Sequence, residues 1–194
     1  MKKLLLAIML TVGVQAHANI SDAIGVTLFP YAEFQQTIMS EVGTYGLPWK
    51  TGESASYSVD MGFIKGTSVM SVREETSVGF WLIQDMDLGF MGKQKAEVLV
   101  DKKTGQILEL IVNGQKQQPP EPGQSEVEET RQDKVSVPAG SFDCIYARIK
   151  DISKNQTSEV WVNPSIVPIS GMIKQIAPGP MGKVKMELTS FDKK

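Results

Sequence analysis

Asp85 and Asp87 stand two residues apart in a run that reads as a strand. They therefore share one face of it, about 7 Å apart by strand rise. Such a pair can divide acid and base work in a glycosidase or bind a calcium ion. Glycosidase pairs sit in clefts lined with aromatic residues, and calcium needs further oxygen ligands. An Asp-x-Asp with neither is more commonly a solvated strand face. Ser141, in "PAGSF", follows a glycine but lacks the G-x-S-x-G spacing of a nucleophile elbow. Gly140 suits a turn that needs positive φ, with Phe142 packing at the start of the next strand. Cys144 is the only cysteine, and it directly precedes Ile145 in an apolar run. A redox thiol would need exposure and a cationic neighbour, for which Arg148 is the nearby residue. The plainer reading is an inert buried thiol.

His17 is the only histidine and lies in the first eighteen residues. That segment reads as a secretory signal peptide. Lys2 and Lys3 form a positive start, Leu4 to Val14 an apolar stretch too short to span a bilayer, and Ala16-His17-Ala18 a small-x-small cleavage site. Cleavage before Asn19 removes the only imidazole. Ser-His-Asp and Cys-His catalysis and a zinc site of the usual ligands then go with it. The expectation is no enzyme, no cofactor, no metal and no catalytic residue.

The chain has 194 residues, so cleavage leaves 176, enough for one domain over 19–194 with a sizeable core. Without Lys2 and Lys3, 18 basic residues face 22 acidic ones, a net charge of −4. An acidic chain without a basic block argues against nucleic acid as partner. No stretch after the signal is long and apolar enough for a membrane-spanning helix. The mature protein is expected to be soluble and periplasmic.

Helix is expected only at the start. Ile20, Ile24 and Leu28 recur at helical spacing, Pro30 interrupts, and Tyr31, Phe34, Ile38 and Val42 mark a second short amphipathic face. Residues 43–52 read as a loop. Strands follow over 53–63, 67–75, 78–88, 94–101, 106–113, 126–137, 143–152, 157–163, 172–176 and 183–191. Residues 101–105 form a hairpin loop with Gly105 available for positive φ. Residues 115–124, with three prolines, read as a surface loop because proline removes ladder donors. Turn signals about every ten residues favour one large sheet, a sandwich or a barrel.

The strand at 53–63 alternates strictly, with Tyr57, Val59, Met61 and Phe63 on one side and serines opposite. Phe80, Leu82, Met86 and Leu88 make a heavier face on the strand at 78–88, with Trp81 and Ile83 behind it. Val98 and Val100 continue the pattern, as do Ile145, Ala147 and Ile149 further on. Burying a large apolar side chain stabilises by about 1.5–3 kcal/mol, so leaving the ten residues from Tyr57 to Val100 wet would forfeit about 15 kcal/mol or more. A typical domain is stable by about 5–15 kcal/mol in all. Something must cover this face: either the protein's own core or an apolar ligand.

"VSVPAGSFDCIYARI" followed by "SEVWVNPSIVPISGMIKQ" (residues 135–149 and 158–175) resembles the C-terminal half of bacterial periplasmic proteins of the LolA-like class. In these a V-P-A-G-x-F turn leads into a strand, and E-V-W-V precedes a proline loop and G-x-I-K. The resemblance implies a mainly β fold: a single large curved antiparallel sheet, an unclosed half-barrel of about a dozen strands. N-terminal helices would pack in its concave face. It also implies a carrier for a lipid or lipoprotein acyl chain, the role of the best-known members. Phe34 and Ile38 would then act as a lid, and the face from Tyr57 to Val100 as the pocket wall. The rival expectation is a non-catalytic envelope interaction or structural subunit with a sealed core. A carboxylate-based hydrolase ranks third, and a cleft with Asp85 and Asp87 at its floor would favour it.

Overall fold

The computed structural model describes residues 47–119, 125–152, 154–179 and 182–194. The expected signal peptide, the N-terminal helices, and Phe34 and Ile38 lie outside the described residues. Eleven antiparallel strands form one sheet: β1 (Ser54–Asp60), β2 (Lys65–Glu75), β3 (Gly79–Asp87), β4 (Lys93–Asp101), β5 (Ile107–Val112), β6 (Gln115–Gln117), β7 (Ser125–Val137), β8 (Gly140–Asp151), β9 (Gln156–Val162), β10 (Met172–Gly179) and β11 (Gly182–Asp192). A single 3-10 turn, Gly89–Met91, joins β3 to β4.

The strand order is β6-β5-β4-β3-β2-β1-β11-β10-β9-β8-β7. Each strand pairs with its sequence neighbour except across β6 and β7, while β1 pairs with β11. The sheet is thus a ring of hairpins left open at one seam. The seam lies between β6 and β7, the two ends of the strand order, whose connecting stretch reads "QQPPEPGQ" in the sequence. Register shifts in the β1–β11, β2–β3, β4–β5, β7–β8 and β9–β10 pairs mark bulges, which bend strands and raise local twist. The curl shows at the β7–β8 turn. There the Ala139 N–H donates to the Leu188 carbonyl of β11 at 3.0 Å, although β9 and β10 lie between them in the sheet.

Three expectations change. Residues 115–117 are a short edge strand, not loop. Asn113 and Gly114, both at positive φ (50° and 78°), make a two-residue hairpin turn that brings Gln115–Gln117 onto β5. Strand β8 begins at Gly140, three residues early, because Val137 and Gly140 pair directly across Pro138-Ala139. Strand β1 stops at Asp60. Gly62 sits at φ 86°, its N–H donates to the Asp60 carboxylate, and the Met61 N–H donates to the Ile64 carbonyl. This turn breaks the period of two, so Ile64 is buried and Phe63 is 74% exposed. Phe63 therefore does not belong to the apolar wall. Phe63→Ser should leave stability unchanged to within about 0.5 kcal/mol in urea unfolding, as expected of an exposed turn residue. A larger loss would mean the side chain packs inward after all.

Candidate functional site

Tyr57, Val59, Phe80, Leu82, Met86, Leu88, Val98 and Val100 are all buried, and so is Met61 beside them. Register places them on one face: Leu82 stands opposite Val72 and Val98, Phe80 opposite Val100, and Val59 opposite Met186. The wall continues through Leu188, Ile173, Val160, Ala147 and Ile149. Ile145, expected with Ala147 and Ile149, is 36% exposed at the margin.

Two described segments lie over this inner face. Trp49 meets the Phe80 ring edge-on, with centroids 5.7 Å apart. The loop 163–171, between β9 and β10, buries Val167, Ile169 and Ser170. A closed ring of hydrogen bonds ties this loop down. The Ser170 hydroxyl donates to the Tyr57 oxygen (3.1 Å), the Tyr57 hydroxyl donates to the Met172 carbonyl (3.2 Å), and the Met172 N–H donates to the Ser170 oxygen (3.2 Å). Burial pushes the Tyr57 hydroxyl's pKa well above its ordinary value, and the bond from Ser170 offsets this only partly.

Four polar side chains interrupt the wall, and the hydrophobic pattern of the sequence does not single them out. Ser68, Gln84, Gln94 and Gln175 are all buried. Gln84 lies midway between Leu82 and Met86, on the parity that points inward. Its amide N–H donates to the Ser68 hydroxyl at 2.9 Å. Among the described residues, the amide oxygens of Gln84, Gln94 and Gln175 have no hydrogen-bond partner. Buried polar atoms are almost always paired, so each of these is an anomaly. The available signal was parity: a Gln in phase with buried neighbours on both sides.

On the outer face, charged side chains cover the aromatic rings. The Arg131 guanidinium lies 3.6 Å from the Tyr146 ring centroid, Tyr146 meets Trp161 edge-on, and Lys174 approaches the Trp161 ring from β10. The Trp161 indole N–H donates to Asp133 at 3.0 Å. Trp81, behind the heavy face of β3, is covered by Arg73 at 4.8 Å. Such cation–aromatic contacts let flat apolar rings face water under a charged, solvated cap.

The sequence-level candidates for chemistry fall on this outer face or at turns. Asp85 and Asp87 do border a cleft, of about 370 Å³, with Thr67, Val69, Lys93, Lys95 and Asn113, and Met86 and Gln94, whose side chains lie on the inner parity, also reach it. No aromatic side chain lines it. Asp87 accepts the Gly89 N–H at 3.0 Å and pairs with Lys93 at 3.6 Å, an assignment to turn and surface. Gly140 adopts φ 136° in the β7–β8 turn, and Phe142 packs near Phe191. Cys144 is buried, and its thiol points to the Asp133 carbonyl at 3.4 Å. Burial, then the Asp133 charge, pushes its pKa up, the opposite of what a reactive thiolate needs. Among the described residues no group of three His, Cys, Asp or Glu is placed to hold a metal, and no helix is long and apolar enough to cross a membrane.

No family model and no curated protein matches the chain. Among solved structures, it is similar to a Bacteroides fragilis protein described as exported, with a YmcC-like fold. The identity there is 13% and the TM-score 0.39, over 78% of this chain and all of the other. It is also similar to MucB, at 8% identity and a TM-score of 0.42, over 74% of this chain. This chain spans 53% of MucB. Likenesses of this strength assign neither family nor function.

Proposed function

We propose that this protein is an exported, non-catalytic envelope protein of the LolA-like kind, which holds the acyl chain of a lipid or lipoprotein against the inner face of its sheet. The supporting observation is the wall itself: an unclosed sheet whose one face is apolar across both halves, with Ser68, Gln84, Gln94 and Gln175 its buried polar groups among the described residues. An acyl chain meets such a wall by dispersion and water exclusion, without charge or bond formation. Binding buries the ligand's chain against this wall, so the gain is the apolar area removed from water. The carboxylates of the outer cleft have no part in it.

The test is native mass spectrometry of the protein released by osmotic shock without detergent, with lipid extraction of the same sample. The expected result is a chain beginning at Asn19 that carries a stoichiometric lipid adduct. A clean apo mass and no uptake of a fluorescent fatty acid would overturn the reading. It would favour the second one, an envelope interaction subunit with a sealed core. One observation supports that alternative: Phe63 and Phe90, 74% and 81% exposed, stand on adjacent turns at one end of the sheet.

A further inference from the structure

Ser68 on β2, Met86 on β3 and Gln94 on β4 lie opposite one another across the sheet, and Gln84 stands two residues from Met86 on the same face. Gln84 and Gln94 are thus diagonal neighbours, about 7–8 Å apart by sheet geometry. Both are more than nine-tenths buried, at 3% and 7% exposed, and both present an amide oxygen that finds no donor among the described residues. Gln175 is separate, on β10, beyond β11, β1 and β2.

We propose that Ser68, Gln84 and Gln94 form a seat for an uncharged hydrogen-bond donor, a hydroxyl or amide N–H, carried by an otherwise apolar ligand. This deepens the carrier reading above and rests on it. Three points of chemistry lead here. A purely apolar chain laid on this wall would leave two buried acceptors unpaired, which costs more than the bonds themselves return. A cationic group is disfavoured, because the only charged residue buried among the described ones, Glu53, belongs elsewhere. Its carboxylate accepts the Lys50 and Lys194 N–H groups. A hydroxyl both donates and accepts, so it satisfies the seat whichever way the Gln84 amide is turned. The ligand class that follows is a long-chain alcohol, a glyceride with a free hydroxyl, or an N-acyl amide.

The experiment compares a long-chain fatty alcohol with its methyl ether, both delivered from cyclodextrin to the full protein, with affinities read by native mass spectrometry. The ether has the same chain and an acceptor oxygen but no donor. The alcohol should bind about tenfold more tightly, and Gln84→Met should erase that preference while ether binding persists. Ser68→Ala serves as a second variant if Gln84→Met does not fold, and should narrow the gap. Gln175→Met, across the sheet, should leave it intact. Equal wild-type affinity for alcohol and ether would overturn the donor seat while the carrier function stood. Binding of neither would overturn the carrier function and the seat together.

Discussion

Tyr57→Ala lowers the free energy of unfolding by about 3–5 kcal/mol, the range for deleting a buried aromatic ring. Tyr57 is 1% exposed at the centre of the sheet, on the strand where the two halves of the ring of hairpins meet. Its hydroxyl also carries the hydrogen bonds that pin the loop 163–171, so the variant loses cavity contacts and loop anchoring together. Tyr57→Phe isolates the second part, and about 1–2 kcal/mol is expected because the Met172 carbonyl and Ser170 hydroxyl lose a shared partner. The raised pKa adds a pH signature. A tyrosine with its folded-state pKa above the unfolded value, about 10, contributes its full stability below that pH and loses it as pH rises further. Urea unfolding at neutral pH and near pH 11 measures both, and Tyr57→Phe should flatten the alkaline fall. A loss under about 1 kcal/mol for Tyr57→Ala would mean the ring is not sealed.

Leu82→Glu should be the most damaging change on the wall, at about 4 kcal/mol or more at neutral pH, since it removes a buried leucine and inserts an unpaired carboxylate. Its diagnostic is direction. Burial raises the folded-state pKa of the new carboxyl above the ordinary value, about 4.3. The variant is therefore most stable below that value and loses stability as pH rises through the folded-state pKa. The native protein runs the other way. Lys65 holds the Asp60 carboxyl below its usual range, the backbone N–H groups of Thr104 and Lys103 hold Asp101, and the Lys134 N–H with the Trp161 indole holds Asp133. What they contribute is present above about pH 3.9 and lost as pH falls through their lowered values. Thermal unfolding from pH 4 to 8 should thus show Leu82→Glu gaining on acidification in a window where these carboxylates leave the native protein level, its own loss beginning only below about pH 3.9. Parallel profiles would mean water reaches position 82.

The outer cleft separates what strand spacing fixes from what it leaves open. Asp85 and Asp87 do share a face and do border a cleft, yet the rest of its lining is Thr67, Val69, Met86, Lys93, Gln94, Lys95 and Asn113, and Asp87 is engaged by its own turn and by Lys93. Spacing along a strand sets which face two carboxylates share. It does not set what stands across from them.

Strand alternation alone determined that this chain is mainly antiparallel β, with one apolar side per strand, because side-chain direction has a period of two. It also located the hairpin at 101–105, the polar edge strand near 126–137 and the proline break near 120, since each depends on a few adjacent residues. Tertiary structure decided the rest. That β1 pairs with β11 is a contact between strands more than a hundred residues apart, and no local pattern encodes it. That Phe63 faces water while Ile64 faces the core follows from one positive φ at Gly62, which resets the parity after the strand has ended. That Trp81, Tyr146 and Trp161 are covered depends on Arg73, Arg131 and Lys174 reaching them from neighbouring strands. The unpaired amides of Gln84 and Gln94 belong to the same class: their parity is written in the sequence, but whether a buried amide finds a partner is settled only by what the sheet brings beside it.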